Sequence, residues 1–162
     1  MFELVREFVR PVFSGAGPAA GGLSLLRRAC LVTLAALAAQ FSLGMVLNLY
    51  VSVPSSDARA DWLREVETAP AALTAHALVG LLLLGSAAVV MLRAIAVRDR
   101  ALIAAAGTGL VALLGAFAAG EEFVRDGGNG ASLIMAVLAS VALLCFAAVQ
   151  ALASGAVQMT TR

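Results

Sequence analysis

Five polar side chains lie inside or at the ends of long apolar stretches of this 162-residue chain. Gln40 and Asn48 share one stretch, His76 lies in the next, and Glu121 and Glu122 end the third. Antiparallel helices would bring these residues to one end of a bundle, and we call them the polar cluster. Because an ionisable side chain in lipid needs compensation, His76, the only histidine, is the first candidate for a functional residue.

A redox cofactor is the most specific chemistry that His76 could support. A haem with two imidazole ligands would need a second copy of the chain or a different second ligand, since the chain has one histidine. A metal ion held by His76 with Glu121 or Glu122 would lack the spaced ligands of a closed structural site. We therefore expect no cofactor, and a neutral His76 hydrogen-bonded to Asn48, Gln40 or a backbone carbonyl.

Catalytic residues are not indicated elsewhere in the chain. A serine nucleophile motif of the GxSG type is missing, and no carboxylate stands deep in an apolar run as a proton carrier would require. Cys30 and Cys145 lie in separate apolar stretches without a CxxC pair, which predicts packing residues and not redox thiols. The Gly-rich segment 125–130 reads as a turn because no GK[ST] follows it.

The elements that must position these side chains are membrane-spanning helices. Hydrophobic residues make up 62% of the chain and charged residues 13%, with a mean hydropathy of +0.98, which excludes a water-soluble domain, a disordered tail and a nucleic-acid binder. Four apolar runs without Asp, Glu, Lys or Arg are long enough to cross a bilayer, and only helices satisfy the backbone there. The runs cover about residues 29–53, 71–92, 101–120 and 131–154.

The arginine distribution predicts how these spans are oriented. With the N-terminus in the cytoplasm, eight arginines fall inside and three outside, which satisfies the positive-inside rule. We therefore expect a multi-pass protein of the inner, or cytoplasmic, membrane with both termini in the cytoplasm. The eight are Arg6, Arg10, Arg27, Arg28, Arg93, Arg98, Arg100 and Arg162, and the three are Arg59, Arg64 and Arg125.

The flanking segments are predicted to lie outside the lipid core. Residues 1–22 form a short amphipathic surface helix, perturbed or ended by Pro11, and a flexible linker. The alternative for the first segment is a frayed terminus that orders only against the bundle. The transmembrane domain covers residues 23–158, and residues 159–162 form a cytoplasmic tail. The loop 52–70 carries a short helix with Trp62 at headgroup level, as a cap over the bundle or a docking surface for a partner.

Small residues at helical spacing predict where the helices pack, because close approach drives association in lipid. One face of the first span and one seam in each of the third and fourth spans show this pattern. In the second span, Gly80 and Gly85 reduce the width of the helix. The face holds Thr33, Ala36, Gln40, Gly44 and Asn48, and the seams hold Ala112, Ala116 and Gly120, and Ser132, Ala136 and Ser140.

Three segments, QFSLGMVLNLYVSVP from Gln40, HALVGLLLL from His76 and GEEFVRDGGNGASLIMAV from Gly120, resemble small four-span membrane proteins of high-GC bacteria that have no assigned activity. The resemblance implies the fold and no reaction. We expect an all-α, four-helix transmembrane bundle acting as a non-catalytic structural or accessory component. Its expected partners are the lipid bilayer, a second copy or the subunits of a larger membrane complex, and no nucleic acid. The alternative is a haem- or metal-binding redox protein that uses His76.

Overall fold

The computed structural model describes residues 19–50, 71–126 and 129–160 of the chain. These residues form four helices, which we number in chain order: α1 (Ala19–Tyr50), α2 (Ala71–Val97), α3 (Arg100–Asp126) and α4 (Asn129–Thr160). Each helix contains a segment long and apolar enough to cross a membrane. The chain is therefore a multi-pass membrane protein, and the predicted all-α four-helix transmembrane bundle is confirmed.

The helices extend beyond the charge-free runs at most of their ends. α1 begins at Ala19, inside the segment expected to be a linker, and α2 continues through Arg93 to Val97. Charge marks where a span leaves lipid but does not end a helix, because Arg and Glu are good helix formers. The predicted surface helix, the helix in loop 52–70 and residues 161–162 of the predicted tail 159–162 lie outside the described residues. The first two residues of that tail belong to α4, which continues to Thr160.

A two-residue turn joins α2 to α3, and both of its residues act as caps. Arg98 has a φ of 63°, the left-handed conformation that ends many helices, and its N–H donates to the carbonyl oxygens of Ala94 and Ile95. The Oδ1 atom of Asp99 then accepts hydrogen bonds from the N–H groups of Ala101 at 2.8 Å and Leu102 at 3.0 Å. The turn thus satisfies backbone groups at the end of one helix and the start of the next.

The four helices form a ring in which each packs against two others. α1 contacts α2 and α4, and α3 contacts α2 and α4. Residues early in α1 face the end of α2, and residues late in α3 face the start of α4, so the described helices have an up-down-up-down arrangement. We call the end where α1 begins and α2 ends the basic end, and the opposite end, where α2 begins, the cavity end. Fully buried side chains are concentrated towards the basic end and include Leu26, Cys30, Val90, Phe146 and Val149.

The outer surface of the ring is apolar. Large side chains such as Val32, Leu82, Val111 and Leu144 are at least 65% exposed, which water would disfavour and lipid tails accommodate. The exposed faces follow each span along its length, so the fold presents its hydrophobic surface to the bilayer.

Candidate functional site: an intramembrane polar clasp beside a cavity

Gln40 of α1 crosses to the backbone of α2. Its Nε2 atom donates a hydrogen bond of 2.7 Å to the carbonyl oxygen of His76. That carbonyl also lies one turn before Gly80, where a Cβ would come within 3.3 Å of the Gln40 Nε2 atom. Because Gly80 has no side chain, the Gln40 amide can reach the carbonyl oxygen of His76. That oxygen has two lone pairs and can accept a second hydrogen bond.

The imidazole of His76 fits against α1 in the same way. A Cβ at Gly44 would lie 3.0 Å from the His76 Cε1 atom, tighter than an ordinary contact. Gln40 and Gly44 are one turn apart on α1, and His76 and Gly80 are one turn apart on α2, so each pair shares a helix face. We call these four residues the polar clasp, because each helix inserts one polar side chain over a glycine of the other.

The predicted polar face of α1 continues beyond the clasp. Thr33 is fully buried, and its hydroxyl is hydrogen-bonded to that of Ser86 on α2 and to the carbonyl oxygen of Ala29, at 3.0 Å. Ala36 packs against the core. The backbone of Asn48 is helical, but its side chain lies outside the described residues. The face therefore turns towards α2 from Thr33 to Gly44.

Two buried polar atoms of the clasp have no hydrogen-bond partner within the described residues. They are the Oε1 atom of Gln40 and the Nδ1 atom of His76. Of the three partners predicted for the His76 ring, the Gln40 amide is not used, since it donates to the backbone carbonyl of His76 instead. Unpaired polar atoms in an apolar interior cost free energy and call for an explanation, of which an unfilled binding role is one.

A cavity of about 520 Å³ opens beside the clasp, between all four helices. Its size and its mostly apolar walls match sites that hold small lipophilic molecules. Gly44, Gly80, Ala116 and Gly120 contribute to the walls, so small residues of three helices leave the space open. The polar residues on its lining are Gln40, Thr74, His76, Glu121, Arg125 and Ser132.

The structure divides the predicted polar cluster. Gln40 and His76 meet in the clasp, whereas Glu121 and Glu122 are exposed near the end of α3. Glu121 lines the cavity together with Arg125, one turn further along the same helix, and Glu122 is not part of the lining. Among the residues that the structure describes, no group of three or more His, Cys, Asp or Glu side chains could hold a metal ion.

The cysteines lie away from the cavity. The Cys30 thiol is fully buried and donates to the carbonyl oxygen of Phe146 at 3.1 Å, which links α1 to α4. Cys145 is half-buried, and its Cβ lies 3.2 Å from the position of a Cβ at Gly109. Both are free thiols in helix contacts, where each fills space as a small apolar residue does.

Sequence reasoning missed the cavity and the pairing of the clasp. Gly44 and Gly80 each stood four residues after a polar residue, and this repeated spacing was the available signal. The seam of the third span was a further signal, since Ala112 and Ala116 are buried and Ala116 also lines the cavity. Ser140 of the fourth span is instead exposed, and its hydroxyl donates to the carbonyl of its own helix at Ala136.

Fold and site together define a class: polytopic α-helical membrane proteins with a cavity between the helices of one bundle. No family model, no curated protein and no solved structure matches this chain.

Proposed function

We propose that this chain is a non-catalytic accessory component of the cytoplasmic membrane, and that its bundle binds a lipophilic small molecule at the cavity end. The single observation that carries the proposal is the cavity of about 520 Å³ bordered by the polar clasp. Ligand sites in helical bundles combine mostly apolar walls with a few polar groups that orient the ligand, and this cavity has that composition.

The chemistry of the walls indicates the class of ligand. Leucine, phenylalanine and methionine side chains favour an apolar body, and His76 favours a hydrogen-bonding head because its other ring nitrogen, Nε2, donates or accepts according to the tautomer. Glu121 and Arg125 bring opposite formal charges to the same part of the lining. These features favour an uncharged molecule with a hydroxyl or carbonyl head over a free anion or cation.

Binding without catalysis is favoured by how the clasp side chains are held. The Gln40 amide is committed to the backbone carbonyl of His76, and the Nδ1 atom of His76 is enclosed by protein. A general base needs a second group that orients it and a reacting atom within hydrogen-bond reach. The clasp supplies helix packing and recognition in place of that arrangement.

Location and orientation are part of the proposal. Arg27, Arg28, Arg93, Arg98 and Arg100 all belong to the basic end, and the positive-inside rule assigns such an end to the cytoplasm. Both chain termini then lie in the cytoplasm, and the cavity faces the outer half of the membrane.

Self-association, or membership of a larger membrane complex, is also proposed. Because Ala112 and Ala116 are buried inside the bundle, the seam of α3 is already used within one chain. A second copy or a partner subunit would therefore contact the lipid-facing surface. Sizing in mild detergent, with identification of co-purified proteins, tests this part, and a strict monomer without partners would contradict it.

A redox role is the second candidate, favoured by one observation. His76 on α2 and Met135 on α4 line the same cavity, and an imidazole and a thioether together can bind haem iron. Absorbance and metal analysis of the purified protein separate the two candidates. A stoichiometric Soret band that disappears in His76→Ala would establish the redox role, and a colourless, metal-free protein would contradict it.

The decisive experiment measures what the cavity retains. Protein purified in nanodiscs is extracted, and small molecules bound in stoichiometric amount are identified by mass spectrometry. Ala116→Leu and Ala136→Leu add volume inside the cavity and should reduce retention by about tenfold or more, a change of about 1.4 kcal/mol. Ala118→Leu, on the exposed face of α3, is the matched control and should retain the molecule.

Two results would overturn the proposal. One is a folded wild-type protein that retains no small molecule beyond the lipid of the nanodisc. The other is equal retention by Ala118→Leu and both cavity variants, which would place the bound molecule elsewhere on the bundle.

A further inference from the structure

The cavity between the four helices changes from polar to apolar along its length. Thr74 of α2 and Arg125 of α3, two of its polar lining residues, lie within about one turn of the helix ends at the cavity end. The inner end is closed by Leu37, Leu83 and Leu113, which are all buried. A lipid in a bilayer has the same polarity profile, because its head lies at the membrane surface and its chain runs towards the midplane.

The cavity reaches the outer surface of the bundle between α2 and α3. Leu81 of α2 and Phe117 of α3 both line it, and they are 50% and 42% exposed. Their neighbours Leu82 and Leu114 are exposed as well but are not part of the lining. Leu81 and Phe117 therefore lie where the cavity wall meets the lipid-facing surface, and we call the gap that they border the side opening.

Both borders of the side opening lie at one level of the membrane. Leu81 lies ten residues before Met91, and Phe117 lies ten residues after Gly107. α2 and α3 approach closely at that pair, since a Cβ at Gly107 would lie 3.7 Å from the Met91 Cε atom. At about 1.5 Å per residue, the side opening is about 15 Å from this contact and about 12 Å from the start of the span at Leu73. It therefore faces hydrocarbon and not water.

The other helix pairs are held together beside the cavity. The polar clasp joins α1 to α2, and a Cβ at Gly115 of α3 would lie 2.9 Å from the Leu138 Cδ1 atom of α4. Between α1 and α4, Met45 lines the cavity and is exposed, but Ala131, at the same level of α4, is buried. The pair formed by α2 and α3 is the one in which cavity-lining residues on both helices are exposed.

We propose that the cavity holds a single-chain neutral lipid that enters sideways from the bilayer, an inference that rests on the proposed function of the cavity. Its hydroxyl or carbonyl head lies beside His76, and its chain passes between Leu81 and Phe117 into the surrounding lipid. His76 lies five residues before Leu81, about 7.5 Å nearer the cavity end, so the head lies closer to the membrane surface than the chain does. A volume of about 520 Å³ suits one small molecule, which favours one chain over two.

The test measures how fast a probe lipid exchanges. Full-length protein in nanodiscs is loaded with deuterated 1-hexadecanol and mixed with nanodiscs that contain an excess of the unlabelled alcohol. Native mass spectrometry follows the loss of the label from the protein. Leu81→Trp narrows the side opening and should slow exchange by about tenfold, whereas Leu81→Ala widens it and should accelerate exchange. Both variants should fold, because residue 81 is half exposed to lipid.

Leu82→Trp and Leu82→Ala are the matched controls. They make the same changes at the adjacent leucine, which faces lipid outside the cavity lining, and should exchange at the wild-type rate. The proposal is overturned if the variants at positions 81 and 82 exchange equally fast. It is also overturned if hexadecanol shows no saturable binding while the wild-type protein retains a different molecule, a result that leaves the proposed function standing. A wild-type protein that retains nothing contradicts the proposed function itself and this inference with it.

Discussion

At the residue scale, the polar clasp depends on two glycines that make room for two polar side chains. Gly44 lets the His76 ring approach α1, and Gly80 lets the Gln40 amide reach a carbonyl of α2. Small residues at helix interfaces in lipid usually serve close backbone packing. Here they serve polar side chains, so the clasp holds α1 and α2 in one register.

Gly44→Ala should destabilise the bundle, and Gly85→Ala should not. A Cβ at Gly44 would lie 3.0 Å from the His76 Cε1 atom, whereas nothing lies within 4 Å of one at Gly85. Overpacking of this kind costs about 1–3 kcal/mol, against a gain of about 1 kcal/mol in helix propensity that both variants share. Thermal unfolding in detergent measures the difference. Adding His76→Ala to Gly44→Ala should restore stability, and failure of that rescue would argue against the contact.

His76→Gln should largely preserve folding, because the hydrogen bond in the clasp uses the backbone carbonyl of residue 76 and not its ring. Gln40→Leu removes the donor itself and should cost about 0.6 kcal/mol, and at most about 1.7 kcal/mol, as interhelical hydrogen bonds in membranes do. The unfolding midpoints of the two variants provide the comparison. A larger loss for His76→Gln than for Gln40→Leu would show that the imidazole carries the stability.

At the element scale, the four spans were predictable and their ends were not. Hydropathy identified each of the four described helices, because the need for about 20 apolar residues is a property of each segment alone. The α2–α3 turn depends instead on the conformation of Arg98 and the cap at Asp99, which the charge-rich sequence did not specify. Several neighbouring polar residues could each act as the cap, so a sequence indicates the end of a helix less clearly than its interior.

Asp99→Ala should destabilise the start of α3 by about 1 kcal/mol, since two N–H groups lose their acceptor. Asp99→Asn retains an acceptor oxygen and should cost much less. The measurement is the unfolding midpoint of each variant in the same detergent. Equal losses for both would attribute the effect to the negative charge beside the helix start and not to the cap.

At the scale of the whole molecule, the bundle is packed unevenly along its axis. Phe146 fills the interior towards the basic end and lies 3.1 Å from the position of a Cβ at Gly109. Towards the cavity end, small residues such as Gly120 and Ala116 line open space. A closely packed half and an open half agree with the proposed function, in which the fold is kept while a ligand enters one end.

Topology is the matching test at this scale. In a variant with Cys30 and Cys145 replaced by alanine, Trp62→Cys should react with a membrane-impermeant maleimide in intact cells. Arg100→Cys, on the turn at the basic end, should react only after the membrane is permeabilised. This pattern is expected from the proposed orientation, in which the positive-inside rule assigns the arginine-rich end to the cytoplasm. The reverse pattern would show that the orientation is the opposite one. Labelling of both positions in intact cells would show that no span separates them.

The sequence by itself determined the number of spans, the all-α class and the face of α1 that holds Thr33, Gln40 and Gly44. These properties follow from composition and from spacing within one segment. Only the tertiary structure decided that Gln40 meets the backbone of His76, that Glu122 lies apart from the cavity, and that Arg93 is buried. The physical reason is that these features depend on the register between helices distant in sequence, which close packing selects and no single segment encodes.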